Sequence, residues 1–407
     1  MNSKTQNSLL LSASSGFFMW GIIAFIGPSA AAGGLLGKIS GLEVVLSLLI
    51  GPVFILIGNV AMGFLSDFIG RKRIFVITMF AYGAGLLAIV ASAYLSSFML
   101  FAAGLATAQF GIGGEEPPTL ALLSENFSPE KRARYLALAP NYSNIGSAFI
   151  AGMFLISNVN EGAYILASAL IVIGIMIYAR FRIPESYRWL DDAGKGTEAA
   201  KEKENLNIED EGVRIKHPGY LLGVTTLVIL GIVQYLTFGL MAYVVGPYEF
   251  ASATLDAELT FIAVLGASVA GFIAARYIVK GRKSYTLWSY LGGFISMIAI
   301  LALVPMLGNM LIFLPLLFVN MMMSEFAWVS RTTLEPELFP TKIRGRGIGL
   351  IRFFPMLAYI ISIYTTSSFS MFQFILLNVV LWGFGFLASV MWYLAGFETK
   401  SISLDYL

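Results

Sequence analysis

Long apolar runs separated by short polar loops cover the chain from one end to the other. About twelve of these runs reach the roughly 20 residues that a helix needs to cross a bilayer. They are apolar throughout instead of alternating, which favours membrane helices over barrel strands. The runs lie at 9–32, 43–66, 74–94, 97–124, 135–157, 161–182, 219–247, 257–279, 285–306, 309–334, 345–368 and 371–396. The pattern predicts an all-α membrane protein with twelve transmembrane helices.

Composition agrees with this class. Hydrophobic residues make up 57% of the chain and charged residues 12%, whereas a soluble domain is about 25% charged. The net charge of +2 gives no sign of a nucleic-acid-binding surface. Cysteine is absent and the one histidine is His217, so we expect no metal site, no cofactor and no catalytic triad. A nucleotide-binding loop is also missing, and we do not expect an enzyme.

Basic residues concentrate in every second loop. If the N-terminus is inside, the inner segments carry about 23 of the 26 lysines and arginines, and the outer loops carry only Lys38. Arg331 and Arg352 remain within predicted spans. This bias predicts a multi-pass protein of the cell membrane with both termini in the cytoplasm.

One long polar stretch, 183–218, divides the chain. It predicts a cytoplasmic linker between an N-terminal six-helix bundle, 1–182, and a C-terminal six-helix bundle, 219–407. The linker is either a hinge between the bundles or simply a solvated connection.

The two halves repeat four features at one offset. Gly70-Arg71-Lys72 recurs as Gly281-Arg282-Lys283, Glu125 as Glu337, Arg132 as Arg344 and Glu185 as Glu398, at separations of 211 to 213 residues. A repeat of this kind predicts two parallel, pseudo-symmetric bundles with the solute near the midplane between them.

These motifs resemble those of the major facilitator superfamily. The segment 63–73 is similar to the loop between the second and third spans of that family, and 184–190 and 337–345 are similar to motifs of its sugar porters and organic-ion transporters. The segment 113–117 looks more like the niacin, organic-cation and aromatic-acid carriers. The resemblance implies alternating access in a monomer whose partners are a small solute, protons and the lipid bilayer.

Charged residues at the predicted cytoplasmic ends suggest a gating network. Asp67 can stabilise the N-terminus of a neighbouring helix, and the glutamates can pair with arginines. Such pairs contribute roughly 0–1 kcal/mol each if they are exposed. The proposed network comprises Asp67, Arg71, Glu125, Arg132, Glu185, Arg188, Glu337, Arg344 and Glu398.

Ionisable residues within spans are functional hypotheses by default because they are costly in lipid. Glu115 and Glu116 precede Pro117 and Pro118, which remove two helix donors and predict a break on an interior face. Both acids are candidates for proton coupling, and the resemblance favours Glu115. Glu325 and Arg352 could pair across helices, or either could hold a charged solute group. Arg331 could simply extend towards the cytoplasm.

Polar and aromatic side chains in the spans are candidates for solute binding. They are Trp20, Asn141, Asn144, Gln234, Tyr235, Asn320, Glu325, Trp328 and Arg352. Each could equally serve helix packing.

The expected function is secondary active transport of a small polar or ionic organic solute, with proton-coupled symport preferred. The first span lacks the acid found in many proton-coupled relatives, and this absence favours the alternative of a facilitative sugar uniporter. A transport-inactive sensor with the same fold is the alternative from another class.

Overall fold

Helices occupy nearly all of the predicted apolar runs. The computed structural model describes residues 3–31, 36, 39–156, 173–174, 177, 180–181, 183–206, 220–250, 252–400, 402 and 404. The first helices are α1 (Ser3–Ala31), α2 (Gly41–Ile69), α3 (Arg71–Leu95), α4 (Phe98–Asn126) and α5 (Pro129–Ile156), followed by the short α6 (Tyr187–Asp192) and α7 (Gly196–Leu206).

The second series begins with α8 (Tyr220–Gly239), which continues through a π-helical turn at Leu240–Val244 into α9 (Val245–Glu249). The remaining helices are α10 (Ala253–Tyr277), α11 (Arg282–Ala302), α12 (Met310–Glu337), α13 (Arg344–Thr366) and α14 (Met371–Ala395). Short 3₁₀ turns at Ile278–Lys280, Val304–Met306 and Thr341–Ile343 adjoin helix ends.

Nine helical stretches of the described residues are long and apolar enough to cross a membrane. α4 and α5 have the length but are not among the nine, and α4 carries acids and prolines in its second half. The predicted run at 161–182 lies largely outside the described residues, so the number twelve stays a prediction. The all-helical membrane fold is confirmed, and side chains such as Ile156 and Leu394 leave its outer surface apolar.

Helices α1–α5 pack on one another and form a first group, and α8–α14 form a second group. The most extensive contacts between the groups are those of α2 with α13 and of α5 with α10, and smaller contacts join α4 to α13 and both α4 and α5 to α12. The boundaries predicted at 182 and 218 fall on or beside residues outside the described ones, so the division into domains stays a prediction.

Glycines allow α2 and α13 to approach closely. A Cβ atom added at Gly63 would lie 2.8 Å from the backbone oxygen of Gly345, and one added at Gly349 would lie 2.7 Å from that of Asn59. Small residues of this kind let membrane helices pack backbone against backbone. We call the nearby end of the molecule, where Arg71, Arg132 and Arg344 lie, the basic face.

The described part of the polar stretch folds onto the basic face. The Trp189 indole N–H in α6 donates to the backbone oxygen of Asp67, 2.9 Å away. The Gln6 amide donates to the backbone oxygen of Leu206 at the end of α7, 3.0 Å away. These residues therefore contact the helices instead of forming a fully solvated connection.

We expect Gly349→Ala to loosen the closed basic face, because the added methyl group overlaps the α2 backbone. Overpacking costs about 1–3 kcal/mol, so the open population should rise about tenfold. Because the chain has no cysteine, a single Thr332→Cys substitution can serve as a reporter of the open population. Thr332 is buried and its hydroxyl donates to the backbone of Leu136 in the other group, so its maleimide labelling reports separation.

Gly383→Ala on α14 is the matched control, since its nearest neighbour is a Phe294 ring atom 3.4 Å away. Labelling of the reporter should not change in this variant. Equal labelling in the two alanine variants would contradict the role given to the α2–α13 contact.

Candidate functional site

Glu125 joins the two helix groups at the basic face. Its carboxylate accepts from Arg71 of the first group at 3.2 Å and from Arg344 of the second group at 2.6 Å. All three side chains are fully buried. The Arg188 guanidinium also donates to the backbone oxygen of Glu125, 2.6 Å away.

The second copy of the motif makes the equivalent contacts. Glu337 accepts from Arg282 of its own group at 3.2 Å and from Arg132 of the first group at 3.0 Å. Its other oxygen accepts from the Thr399 hydroxyl at 2.6 Å. Arg132 also donates to the backbone oxygen of Ile402, 2.8 Å away. Each glutamate therefore binds two arginines, one from each helix group.

Asp67 adds a third connection between the groups. Its carboxylate accepts from the backbone N–H groups of Gly345 and Arg346, at 3.1 and 2.9 Å, where α13 begins. It also lies 3.1 Å from Arg71. A negative charge at a helix N-terminus is favourable. Ile278, which takes the position of Asp67 in the second copy, cannot provide this contact.

Among the described residues, Glu185 and Glu398 bind no arginine side chain, in contrast to the expectation from the sequence. Glu185 accepts from the backbone N–H groups of Arg71 and Lys72. Glu398 accepts in the same way from Arg282 and Lys283. The reason is that each glutamate lies at a helix N-terminus, where backbone donors are free. Burial raises the pKa of Glu185, and the backbone donors oppose this shift.

Deeper in the first group, Glu115 forms an ion pair with Arg180. The Arg180 guanidinium donates to the backbone oxygen of Phe75 at 2.5 Å and lies 3.7 Å from the centre of its ring. The predicted break at Pro117 is wrong, because α4 runs as one helix through both prolines. The described partners of Glu115 belong to the first part of the chain.

Glu116 instead faces the second group. It pairs with Arg352 on α13, and Arg352 donates to Glu335 on α12 at 2.7 Å. Glu335 accepts from Arg331 at 3.0 Å, and Arg331 donates to the amide oxygen of Gln234 at 2.6 Å. We call these five buried residues the central cluster. It extends from the first group across to α8.

The central cluster corrects two sequence interpretations and adds one residue. Arg352 pairs with Glu116 and Glu335 rather than with Glu325. Arg331 does not extend to the cytoplasm, since it is buried between Gln234 and Glu335. Glu335 was not among the candidates. Its position four residues after Arg331 on one helix was the signal that could have identified it.

Aromatic rings and unpartnered donors surround the cluster. The guanidinium carbons of Arg331 and Arg352 lie 5.4 and 5.3 Å from the Trp328 ring centre. Three buried N–H donors have no acceptor among the described residues: Trp20 Nε1, Arg331 Nε and Arg352 Nη2. A native structure rarely leaves such groups unpaired, so they suggest a place where a ligand accepts hydrogen bonds.

The space at the cluster is closed in this conformation. A narrow cleft lies between α1 and α4, lined by Gly16, Phe17, Trp20, Ile112, Glu115 and Glu116, and it has no room for a water molecule. The cleft beside Glu116 is therefore closed in this conformation. Binding of a solute at this position requires the helices to move.

The other solute-binding candidates fall in three places. Tyr235 makes an edge-on contact with Tyr359, with ring centres 5.4 Å apart. Asn141 and Asn144 on α5 lie at the contact between the groups, where Asn144 donates to Glu325 at 2.8 Å. Asn320 lies elsewhere in the second group, where its amide donates to the Ser296 hydroxyl at 2.8 Å.

Buried polar clusters between two groups of membrane helices are characteristic of proteins that move solutes across bilayers. The sequence model of the Major Facilitator Superfamily matches residues 9–363. The chain belongs to this family. It is a multi-pass membrane transporter of metabolites and not an enzyme.

Three known proteins show the extent of the similarity. The chain is 26% identical over 304 residues to the putative niacin/nicotinamide transporter NiaP of Bacillus subtilis (strain 168), covering 72% of this chain and 70% of that one. It is 22% identical over 351 residues to the minor myo-inositol transporter IolF of the same organism, covering 84% and 76%. The structure of the proton:xylose symporter XylE bound to 6-bromo-6-deoxy-D-glucose superposes with a TM-score of 0.82 at 17% identity, covering 100% and 99%.

We expect Asp67→Asn to favour opening at the basic face, because it removes the charge that holds the α13 N-terminus and Arg71. The loss is about 1–2 kcal/mol, and labelling of the Thr332→Cys reporter should rise about tenfold. Asp191→Asn, on the exposed surface of α6, is the control and should label like the parent. Unchanged labelling in Asp67→Asn would show that this contact does not hold the groups together.

Proposed function

We propose that the protein is an alternating-access symporter that carries a small aromatic or heteroaromatic carboxylate together with protons. The observation that carries this proposal is the central cluster, in which two glutamates and two arginines balance each other between the helix groups. Its arginines can bind an anion, and its balanced charge favours the uptake of a proton together with that anion.

The donors of the cluster suit a carboxylate. The free N–H groups of Arg331, Arg352 and Trp20 need acceptors, and guanidinium groups bind carboxylates with a matching planar geometry. Trp328 lies beside both arginines. A flat ring attached to the carboxylate can therefore stack near the indole while its oxygens meet the guanidinium groups.

The named relatives support the same class of solute. The similarity to a putative niacin/nicotinamide transporter points to a pyridine ring, and niacin carries a carboxylate. The similarity to the myo-inositol transporter keeps a neutral polyol as the competing solute. Three unpartnered donors, two of them on the arginines themselves, favour the carboxylate.

The charge balance of the cluster supports proton coupling. Glu116 and Glu335 neutralise Arg331 and Arg352 while no solute is bound. A bound carboxylate would leave the desolvated cluster with one excess negative charge, which is costly in a dry site. A proton on the displaced acid removes this cost. Of the two acids predicted for coupling, we choose Glu116, because Glu115 remains paired with Arg180 away from the other group.

The buried contacts at the basic face would serve as the gate. Asp67, Glu125 and Glu337 connect the two groups in the closed form, and separating the groups would hydrate these charges. The predicted orientation, with termini and linker in the cytoplasm, places this gate on the inner side of the cell membrane. A single chain contains the whole cluster, which supports a monomeric transporter.

We expect proteoliposomes containing the protein to accumulate nicotinate when the outside is acidic, because each entering anion brings a proton. Radiolabelled uptake with and without the pH gradient measures this, with the membrane potential held at zero. Nicotinamide, which lacks the carboxylate, should not accumulate. Myo-inositol tests the competing solute class.

Each other result contradicts the proposal in a different way. Equilibration of a solute without response to the gradient would indicate a uniporter. Accumulation of myo-inositol in place of nicotinate would reject the carboxylate. Absence of flux for every solute would indicate a sensor.

We expect Glu116→Gln to lower gradient-driven accumulation about tenfold per pH unit, because one proton per solute is no longer carried. Exchange of labelled for unlabelled solute should continue, since Arg352 keeps Glu335 as a partner. The control is Glu198→Gln on the exposed surface of α7, which should behave like the parent. Full accumulation in Glu116→Gln would remove this acid from the coupling mechanism.

A further inference from the structure

Glu325 is a buried acid with an unusual environment. It lies on α12 with 1% of its surface exposed. One carboxyl oxygen accepts from the Asn144 amide at 2.8 Å, and the other has no partner among the described residues. Asn144 belongs to α5, so this hydrogen bond connects the two helix groups.

Among the described residues, the side chains that interact with Glu325 carry no positive charge. From α5 come the amides of Asn141 and Asn144, and Asn141 in turn donates to the backbone of Ser268 on α10 at 3.0 Å. From α11 comes Tyr285, the one titratable group that interacts with Glu325 among the described residues, and its hydroxyl has no partner there. The nearest arginine along α12 is Arg331, whose partners are Gln234 and Glu335.

This setting differs from that of three other acids in the spans, whereas Asp256 at the start of α10 is likewise buried with no arginine contact among the described residues. Glu115, Glu116 and Glu335 each contact at least one arginine. An ionised carboxylate that is dry and lacks a cation is strongly unfavourable, and a proton removes the cost. The same residue becomes stable as an anion once water reaches it.

We infer that Glu325 is a second proton-binding site of the transport cycle, separate from Glu116, so that two protons accompany each solute anion. The inference rests on the proposed function. In the closed form Glu325 holds a proton beside Asn144. When the groups separate at the basic face, the α5–α12 contact opens, water enters and the proton leaves to the inner side.

The neighbours of Glu325 also explain how the empty carrier can return. The carboxylate then retains the Asn144 amide as a neutral donor. The amide stabilises the charge less than an arginine would, so water must share this task during the return. Coupling requires the solute-loaded carrier to cross with Glu325 protonated and the empty carrier to return only after that proton has left.

The proton-to-solute ratio tests the inference. With the membrane potential held at zero, two protons per anion give about 100-fold accumulation per pH unit, and one proton gives about tenfold. We expect nicotinate to accumulate about 100-fold per pH unit in the parent protein and about tenfold in Glu325→Gln, which imitates the protonated carboxyl. Exchange without a gradient should continue in the variant.

Controls separate this inference from the proposed function. Ser324→Ala changes the buried neighbour on α12 and should keep the parent ratio. Glu325→Leu is neutral and of similar size. It gives a second measurement of the proton-to-solute ratio if thermal unfolding shows that Glu325→Gln does not fold. Failure of the parent to accumulate nicotinate would defeat the proposed function. Accumulation by the parent with the same ratio in both Glu325 variants would overturn the second proton site alone.

Discussion

The cost of a charge away from water governs how this protein is built. Most of its buried arginines lie beside a carboxylate: Arg180 beside Glu115, Arg352 beside Glu116, and Arg344 beside Glu125. In each case the carboxylate offsets a positive charge that would otherwise be unpaired in the interior, and Glu125 is shared between Arg344 and Arg71. Breaking a buried pair costs about 3–5 kcal/mol, whereas moving both partners into water does not leave an unpaired charge. The pairs can therefore separate and form again if water reaches both partners when the groups open.

In the proposed transport cycle, the two polar regions have different roles. At the basic face, Glu125 and Glu337 each join arginines from both helix groups, so closure satisfies several charges at once. In the interior, the central cluster also crosses between groups through Glu116 and Arg352. In the proposed cycle, a solute that displaces Glu116 would change a contact between the groups, and this would connect binding with movement. The cleft beside Trp20 has no room for a water molecule, so a solute would enter it only as the helices move.

Much of this arrangement could be predicted from the sequence, because hydropathy and the repeated motifs depend on local residue type. The helix positions, the resemblance to the family and the place of Asp67 at a helix N-terminus came from such patterns. The partners of Arg352 and Glu325 did not, since they depend on which faces of distant helices meet. The pairs at the basic face are buried, so the free energy of roughly 0–1 kcal/mol given for exposed pairs does not apply to them. Glu335 was not predicted because it directly follows the predicted span 309–334.

The order in which the chain is synthesised gives the central cluster one more consequence. Arg71 and Glu125 belong to helices made early, and they can neutralise each other as soon as α4 is complete. Among the described residues, the arginine that pairs with Glu116 is translated much later, as is the neighbouring Glu335. An ionised carboxylate without a cation is costly in a bilayer, and a proton removes that cost. We therefore expect Glu116 to carry a proton in the inserted α4 until translation reaches α13.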